Sequence, residues 1–148
     1  MIGGLDPSKV GQSFGPHPFS WDSDHVALYA LALGATEDEL DLLLESRGPE
    51  VLPTFSVLAV WTTALEGIGA LGGDMLTIVH GAQRCTLVRP IPESGQVETT
   101  GRLDALYDKG KGALAVFSTE SRDERGVLFE TEWQIYYRGL GGFGGERG

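Results

Sequence analysis

The sequence predicts an α+β domain in which one strongly curved antiparallel sheet wraps a central apolar helix. The predicted helix spans residues 52–65, which leave almost no polar face, and a helix of that kind must be covered by other elements. From residue 76 onward the apolar residues recur at every second position, which is the period of strands with one buried face. A helix followed by consecutive strands is typical of this fold class, and 148 residues give room for one core of ordinary size.

The N-terminal third is predicted to hold an irregular lead-in and one amphipathic helix. Residues 1–20 are rich in glycine and proline without a sustained period, so we predict an irregular surface segment. Residues 20–24 supply N-cap candidates with first-turn acids, and Gly34 supplies a C-terminal glycine. Between them four side chains have helical spacing: Val26, Tyr29, Ala30 and Leu33. The acidic residues 36–44 begin like a second capped helix.

The C-terminal half is predicted to form an antiparallel meander. Residues 97–107 and 127–137 alternate between apolar and polar side chains, as half-buried strands do. Residues 108–112 and 122–126 are polar, glycine-containing connections of hairpin length. We therefore divide the sequence into a lead-in, one domain and a glycine-rich tail or linker, at residues 1–20, 21–138 and 139–148.

Charge and composition exclude several classes of function. The net charge of −10 argues against nucleic-acid binding, which depends on lysine and arginine displacing counterions. No stretch approaches the roughly 20 apolar residues of a membrane span, and we find no secretory signal pattern at the N-terminus. The lone Cys85 has no partner for a disulfide and is compatible with a reducing compartment. We expect a cytoplasmic protein without a metal site, because no cysteine and histidine cluster has metal-ligand spacing.

Six stretches in order resemble one enzyme family over about residues 20–147. They are ALYALALGA at 27–35, VLPTF at 51–55, VHGAQ at 79–83, RPIP at 89–92, YDKGKG at 107–112 and GGFGG at 141–145. Together they resemble the N-terminal hot-dog repeat of the MaoC-like, hydratase-2 type (R)-specific enoyl-CoA hydratases. The resemblance implies a hot-dog fold and hydration of trans-2-enoyl-CoA thioesters in fatty-acid or steroid side-chain β-oxidation.

The same resemblance implies partners and no separate cofactor. The partners are an acyl-CoA thioester, whose CoA is part of the substrate, and a second hot-dog domain or subunit, in a homo- or hetero-oligomer such as a dimer. In this family the first repeat shapes a pocket for the acyl tail, and the second repeat carries the chemistry and an oxyanion donor. CoA is polyanionic, so the few basic side chains that could meet it are of interest: Arg84, Arg89 and Lys109.

The catalytic pair that the chemistry needs is missing from this sequence. Adding water across a double bond conjugated to a thioester needs a base for the water and an acid for the α-carbon. The family is expected to supply them as Asp-x4-His, but no aspartate here has a histidine five positions later. We therefore predict no catalytic residue in this chain, and an acyl pocket formed by Leu52, Pro53, Phe55, Val57, His80 and Gly81.

Each candidate also has a purely structural interpretation. Asp22 and His25 share a helical face, but an aspartate in a first turn is favoured by the helix dipole alone. Phe55 and His80 are equally suited to core packing. The Gly139-x-Gly141-x-x-Gly144 pattern matches the dinucleotide fingerprint by letter only, because no helix can follow in the four residues that remain.

Two other functions remain open at this point. One is a noncatalytic acyl-CoA-binding or assembly module. The other is a thioesterase-like hot-dog domain that uses Glu66 or Asp74 near the central helix as its acid.

Overall fold

Five strands and two helices make up the fold in a computed structural model that describes residues 4–148. In chain order they are β1 (Ser13–Trp21), α1 (Ser23–Ala32), α2 (Ser56–Leu71), β2 (Ile78–Leu87), β3 (Gly95–Asp108), β4 (Gly112–Asp123) and β5 (Gly126–Arg138). The strands form one antiparallel sheet in the order β1-β3-β4-β5-β2, so β1 and β2 are its two edges. The α+β layout and the meander of β3, β4 and β5 are therefore confirmed.

Helix α2 is the central helix, but it starts and ends later than the predicted residues 52–65. A single 3-10 turn at Pro53–Phe55 precedes it. Proline is tolerated in a first helical turn, because the N–H that it lacks would have no partner within the helix. The helix includes Gly67 and Gly69 and is capped by Gly72. The backbone φ of Gly72 is +88°, which is unfavourable for a residue with a side chain. The helix packs against β1, β3, β4 and β5.

One face of α2 is open, which corrects the expectation that the helix is covered all round. Its buried apolar side chains are Ala59, Val60, Ala64, Ile68 and Leu71. On the other side, Leu58, Trp61 and Leu65 are 41%, 53% and 38% exposed. Contrary to the expectation from the sequence, one 18-residue window within Pro53–Leu71, with a mean hydropathy of 1.4, would suit a membrane span by length and composition. Half of that window is buried inside the protein, as in a core helix.

Strand β1 lies within the segment predicted as an irregular lead-in, so that prediction is wrong for residues 13–20. Phe14 and Trp21 are buried, and β1 pairs with β3 across a register shift between Phe14 and His17. Proline is tolerated in an edge strand, where one side of the backbone has no ladder to join. The register shift breaks the alternation that would have revealed the strand. Residues 1–3 of the lead-in lie outside the described residues.

The two short helices predicted before α2 have different outcomes. Helix α1 is confirmed, with Asp22 as its N-cap and Gly34 following at a φ of +97°. Residues 36–44 form no second α-helix; isolated 3-10 turns at Leu40–Leu42 and Glu45–Arg47 take its place. A single short helical turn of acidic residues gains too few hydrogen bonds to offset its nucleation cost.

The glycine-rich tail forms no helix or strand, yet it is fixed to the β3–β4 hairpin by one carboxylate. Asp108 accepts hydrogen bonds from the backbone N–H groups of Gly110, Gly142 and Gly144 at 2.8, 2.8 and 2.7 Å. These donors hold the pKa of Asp108 below its ordinary value. The backbone N–H of Asp108 in turn donates to the carbonyl of Glu146 at 2.7 Å.

Candidate functional site

The inner face of the edge strand β2 lies open beside the exposed face of α2. The ring of His80 lies 5.2 Å from that of Trp133, measured between centroids, and the ring of Trp61 lies 6.2 Å from Trp133. Trp133 is buried, whereas His80 and Trp61 are exposed. We call the surface formed by Trp61, His80, Gln83 and Trp133 the α2–β2 edge.

A β-bulge decides which β2 side chains face this edge. The register with β5 shifts between His80 and Ala82, leaving Gly81 as the extra residue. The shift puts Gln83 on the same inner face as His80, opposite Trp133 on β5. A Cβ on Gly81 would meet the carbonyl oxygen of Gln134 at 3.2 Å, so a side chain at the bulge would crowd β5.

Gln83 brings an unsatisfied polar group to the α2–β2 edge. Its Nε2 atom is buried, and within residues 4–148 it has no hydrogen-bond partner. The neighbouring indole is satisfied, since Trp133 Nε1 donates to Thr131 Oγ1 at 2.8 Å. Buried amide donors are nearly always paired in native proteins, so this one needs an explanation.

The six predicted pocket residues fall into two neighbouring groups. His80 and Gly81 are exposed on β2, and the turn Pro53–Phe55 contacts β2. Leu52 and Val57 are half-buried, and Pro53 is exposed. Phe55 is a core residue, 2% exposed, with its ring within 6.3 Å of those of Phe19, Trp21 and Tyr29. In this structure Phe55 offers no surface to a ligand.

A proline-lined groove of about 690 Å³ extends from the same turn. Pro53 and Val51 lie on one wall, and residues 87–93 at the end of β2 form the other. Arg89 lies in this wall, but its guanidinium is held by Asp123 at 2.8 and 3.2 Å. That ion pair lowers the pKa of Asp123, and it ties the groove wall to the β4–β5 turn.

The other two basic candidates lie away from the groove. The ammonium of Lys109 donates to the carbonyl oxygens of Arg147 and Gly148 and lies over the ring of Tyr107. Arg84 lies on the outer face of β2, where it lines a polar hollow together with Arg102. The structure does not bring Arg84, Arg89 and Lys109 together.

Within residues 4–148 two carboxylate–imidazole pairs occur, one at the start of a helix and one between two distant elements. Asp22 and His25 form the capping box of α1, with the His25 N–H donating to Asp22 Oδ1 at 3.1 Å. The side-chain hydrogen bond between His25 and Asp22, together with this backbone contact, lowers the pKa of Asp22. The structural interpretation of this pair is therefore confirmed.

The second pair joins β1 to α2, at the opposite edge of the sheet from the strand that carries His80. Glu66 Oε2 accepts the N–H of Gly15 at 2.9 Å and lies 3.7 Å from His17 Nε2. His17 Nδ1 lies 3.0 Å from the hydroxyl oxygen of Thr63, whose own proton goes to the carbonyl of Thr99. Asp74 caps the turn Met75–Thr77 by accepting the N–H of Leu76.

These contacts form neither a metal-binding cluster nor the acid–base pair that hydration of the double bond needs. Within residues 4–148, no group of three or more His, Cys, Asp or Glu side chains could hold a metal ion. The α2–β2 edge supplies aromatic surface, one imidazole and one amide. This composition suits the binding of an apolar ligand with a polar atom better than it suits proton transfer.

Sequence reasoning missed two members of the α2–β2 edge. Trp61 falls within the predicted apolar helix 52–65, and only the structure shows that it lies on the open side of α2. Gln83 occurs in the VHGAQ stretch, but the bulge at Gly81 changes the face to which it points. Neither fact is visible in a periodicity.

Comparisons with known proteins bear on the fold and the family of this chain. The sequence profile described as MFE-2 hydratase 2 N-terminal domain matches residues 19–139. An enoyl-CoA hydratase of Mycobacterium tuberculosis is 36% identical over 94% of this chain, and a probable enoyl-CoA hydratase 2 of Dictyostelium discoideum is 32% identical over 97%. The chain spans about half of each relative, 52% in both cases.

A solved structure supports the fold independently of these sequences. The MaoC-like dehydratase from Phytophthora capsici superposes with a TM-score of 0.81 over 97% of this chain and 54% of that one, at 21% sequence identity. The curved sheet around α2 is therefore the hot-dog fold. With the profile covering most of the chain, this protein belongs to the MFE-2 hydratase 2 N-terminal domain family.

Proposed function

We propose that this chain is the acyl-binding, non-catalytic half of an (R)-specific trans-2-enoyl-CoA hydratase of fatty-acid or steroid side-chain β-oxidation. A second hot-dog domain or subunit supplies the acid and base. The observation that carries the proposal is the α2–β2 edge, where the exposed ring of Trp61 and the ring of His80 adjoin Trp133 and no carboxylate is among the four residues. Half-buried, unpaired Cys85 is compatible with a cytoplasmic location.

The chain's contribution to the reaction is binding and orientation. The acyl tail lies along Trp61, His80 and the groove wall at Pro53, where burial of its methylene groups holds the thioester in place. The partner activates water, protonates the α-carbon and donates to the thioester oxygen. Half-buried Leu52, just before the turn, and half-buried Val57, in the first turn of α2, shape the inner end of the acyl site.

The open edge also supports the second hot-dog domain. β2 is an edge strand with unpaired backbone groups on one side, and such an edge invites a further strand. The α2 side chains Leu58, Trp61 and Leu65 form an exposed apolar row next to it. The site is therefore completed between two hot-dog units.

Reconstitution tests this proposal. The purified chain alone is expected to hydrate trans-2-enoyl-CoA at no measurable rate, and activity is expected when a hot-dog domain carrying Asp-x4-His is added. Trp61→Ala is expected to raise KM of the assembly with little effect on kcat, because it removes binding surface and no proton-transfer group. Rapid hydration by the chain alone would overturn the proposal.

One alternative from another class is a noncatalytic acyl-CoA-binding or assembly module. It predicts calorimetric binding of a non-reactive acyl-CoA, and no turnover with any Asp-x4-His partner. The reconstitution experiment separates this function from the leading proposal.

A thioesterase is the other alternative, and the contacts of Glu66 allow a direct test. Glu66 is the only one of the two candidate acids that lies beside an imidazole, His17, at 3.7 Å. If the chain hydrolyses acyl-CoA, the rate should fall in Glu66→Gln and persist in Asp74→Asn, which alters only a turn cap. Absence of hydrolysis in the unmodified chain removes this function.

A further inference from the structure

The unsatisfied amide of Gln83 gives information about the acyl group. The Nε2 atom is buried and has no partner within the described residues, although Trp133 opposite it satisfies its own indole N–H. A buried donor left without an acceptor destabilises the fold, and binding sites are where proteins tolerate such a cost. An acceptor brought by a ligand would remove this cost once Gln83 rotates its buried Nε2 atom to the surface of the α2–β2 edge.

The surroundings of Gln83 limit what that ligand can be. Gln83 lies on the inner face of β2 together with His80, and both adjoin Trp133, whose ring contacts that of Trp61. A ligand that reaches the amide therefore passes along aromatic surface first. The ligand expected here is therefore an apolar molecule that carries one oxygen atom at the position of the amide.

We propose that Gln83 donates a hydrogen bond to a keto or hydroxyl oxygen within the acyl group, so that the site prefers oxygen-bearing acyl thioesters over plain hydrocarbon ones. This inference rests on the proposed function, because it requires that the acyl tail occupy the α2–β2 edge. The Gly81 bulge makes this hydrogen bond possible, because without the extra residue Gln83 would point to the outer face of the sheet.

Calorimetry with saturated, non-hydratable ligands tests the preference. The ligands are a straight-chain acyl-CoA and a set of isomers of equal length, each with one keto group at a successive position beyond C3. Binding is measured on the chain alone and on its assembly with the Asp-x4-His partner. One neutral hydrogen bond predicts that the best keto isomer binds about three- to tenfold more tightly than the hydrocarbon ligand.

Two matched variants assign the effect to the amide. Gln83→Met keeps the length of the side chain and is expected to abolish the preference while hydrocarbon binding remains. Gln134→Met is the control, because Gln134 lies on the outer face of β5 and its amide bonds to Glu132 at 3.2 Å. It should keep the preference unchanged.

Thermal melting supplies a readout that a partnered structural amide would not give. Removing an unsatisfied donor should raise the Tm of Gln83→Met, on the order of a few °C. A fall in Tm would show that the amide is already bonded and would overturn the inference.

The remaining outcomes separate this inference from the proposed function. Equal binding of the hydrocarbon and every keto isomer overturns the role of Gln83 and leaves acyl binding intact. Failure of all the ligands to bind, both to the chain and to the assembly, overturns acyl binding and this inference with it.

Discussion

At the scale of single residues, Asp108 joins the C-terminal tail to the rest of the fold. Its carboxylate accepts three backbone N–H groups, two of them from the tail residues Gly142 and Gly144. Gly141 lies so close to the hairpin that a Cβ would collide with the carbonyl oxygens of Gly110 and Gly112. The tail therefore leaves the domain along a defined path.

Asp108→Asn is expected to free the tail. An amide replaces one acceptor oxygen with a donor and removes the charge, so at least one tail N–H loses its partner. Hydrogen exchange at Gly142 and Gly144 should accelerate, while exchange in β4 should stay slow. Asp104→Asn, an exposed carboxylate on the same strand 3.8 Å from Arg102, is the matched control and should leave the tail amides protected.

The same contacts predict a dependence of stability on pH. Because the pKa of Asp108 is lowered in the folded chain, its charge contributes stability above the unfolded carboxyl pKa of about 4, and this stability is lost as the pH falls through the lower folded value. Melts of the unmodified chain and of Asp108→Asn between about pH 5 and pH 2 should converge as the pH falls. A constant gap between the two would contradict the charged interaction.

The role of Asp108 also shows what residue-level sequence reasoning can and cannot find. The glycines of the tail match the dinucleotide fingerprint by letter, and in the structure two of them, Gly142 and Gly144, donate backbone N–H groups to Asp108. Their actual use depends on a carboxylate more than 30 positions earlier, and on a register shift between Leu103 and Ala105 that turns Asp108 inward. The alternation predicted from Val97 continues only as far as that shift.

At the scale of elements, the close approach of α2 to the sheet depends on one glycine. A Cβ on Gly67 would lie 3.0 Å from the ring of Phe117 and 3.1 Å from that of Phe14. Gly69, two residues later in the same helix, is exposed and would meet nothing within 4 Å. The two positions therefore form a matched pair.

Gly67→Ala and Gly69→Ala should change stability in opposite directions. Overpacking at Gly67 is expected to cost about 1–3 kcal/mol in the free energy of unfolding. Alanine at Gly69 should gain about 0.5–1 kcal/mol, because the helix loses less backbone entropy on folding. Denaturant titrations of both variants measure these values. An equal gain in both would mean that α2 does not pack on Phe117 as the structure has it.

Elements differ in how well the sequence predicts them, for physical reasons. Helix α1 carries its own signals, since the cap at Asp22 and the glycine at Gly34 act locally. Strand β1 carries no such local signal, because it is held in place by pairing with β3 and by the contacts of Gly15 and His17 to α2. Residues 36–44 show the reverse case, where a local cap signal lacks the length to sustain a helix.

At the scale of the whole molecule, the two edge strands of the sheet differ in how they meet α2. β1 is held to α2 by Glu66, His17 and Thr63, whereas β2 at the other edge leaves its inner face uncovered. The sequence predicts the apolar helix, but it cannot show that only one face of that helix meets the sheet. That open face is where the proposed acyl site and the proposed second domain meet.

This asymmetry predicts that the chain associates through α2 and β2. In the absence of another partner we expect a dimer, because the apolar row at Leu58, Trp61 and Leu65 is exposed beside an unpaired strand. The double variant Leu58→Asp, Leu65→Asp should be monomeric. Leu28→Asp with Leu31→Asp is the control, since those α1 side chains are more exposed, at 64% and 52%, but lie on another helix.

Salt distinguishes this apolar association from an electrostatic one. Each chain carries a net charge of −10, so two copies repel each other and the repulsion is screened as ionic strength rises. An interface built on Leu58, Trp61 and Leu65 should therefore tighten with added salt, as measured by sedimentation or light scattering across a salt series. A dimer that weakens with salt would indicate an interface of charged side chains, and a chain that stays monomeric under all conditions would remove self-association through this edge.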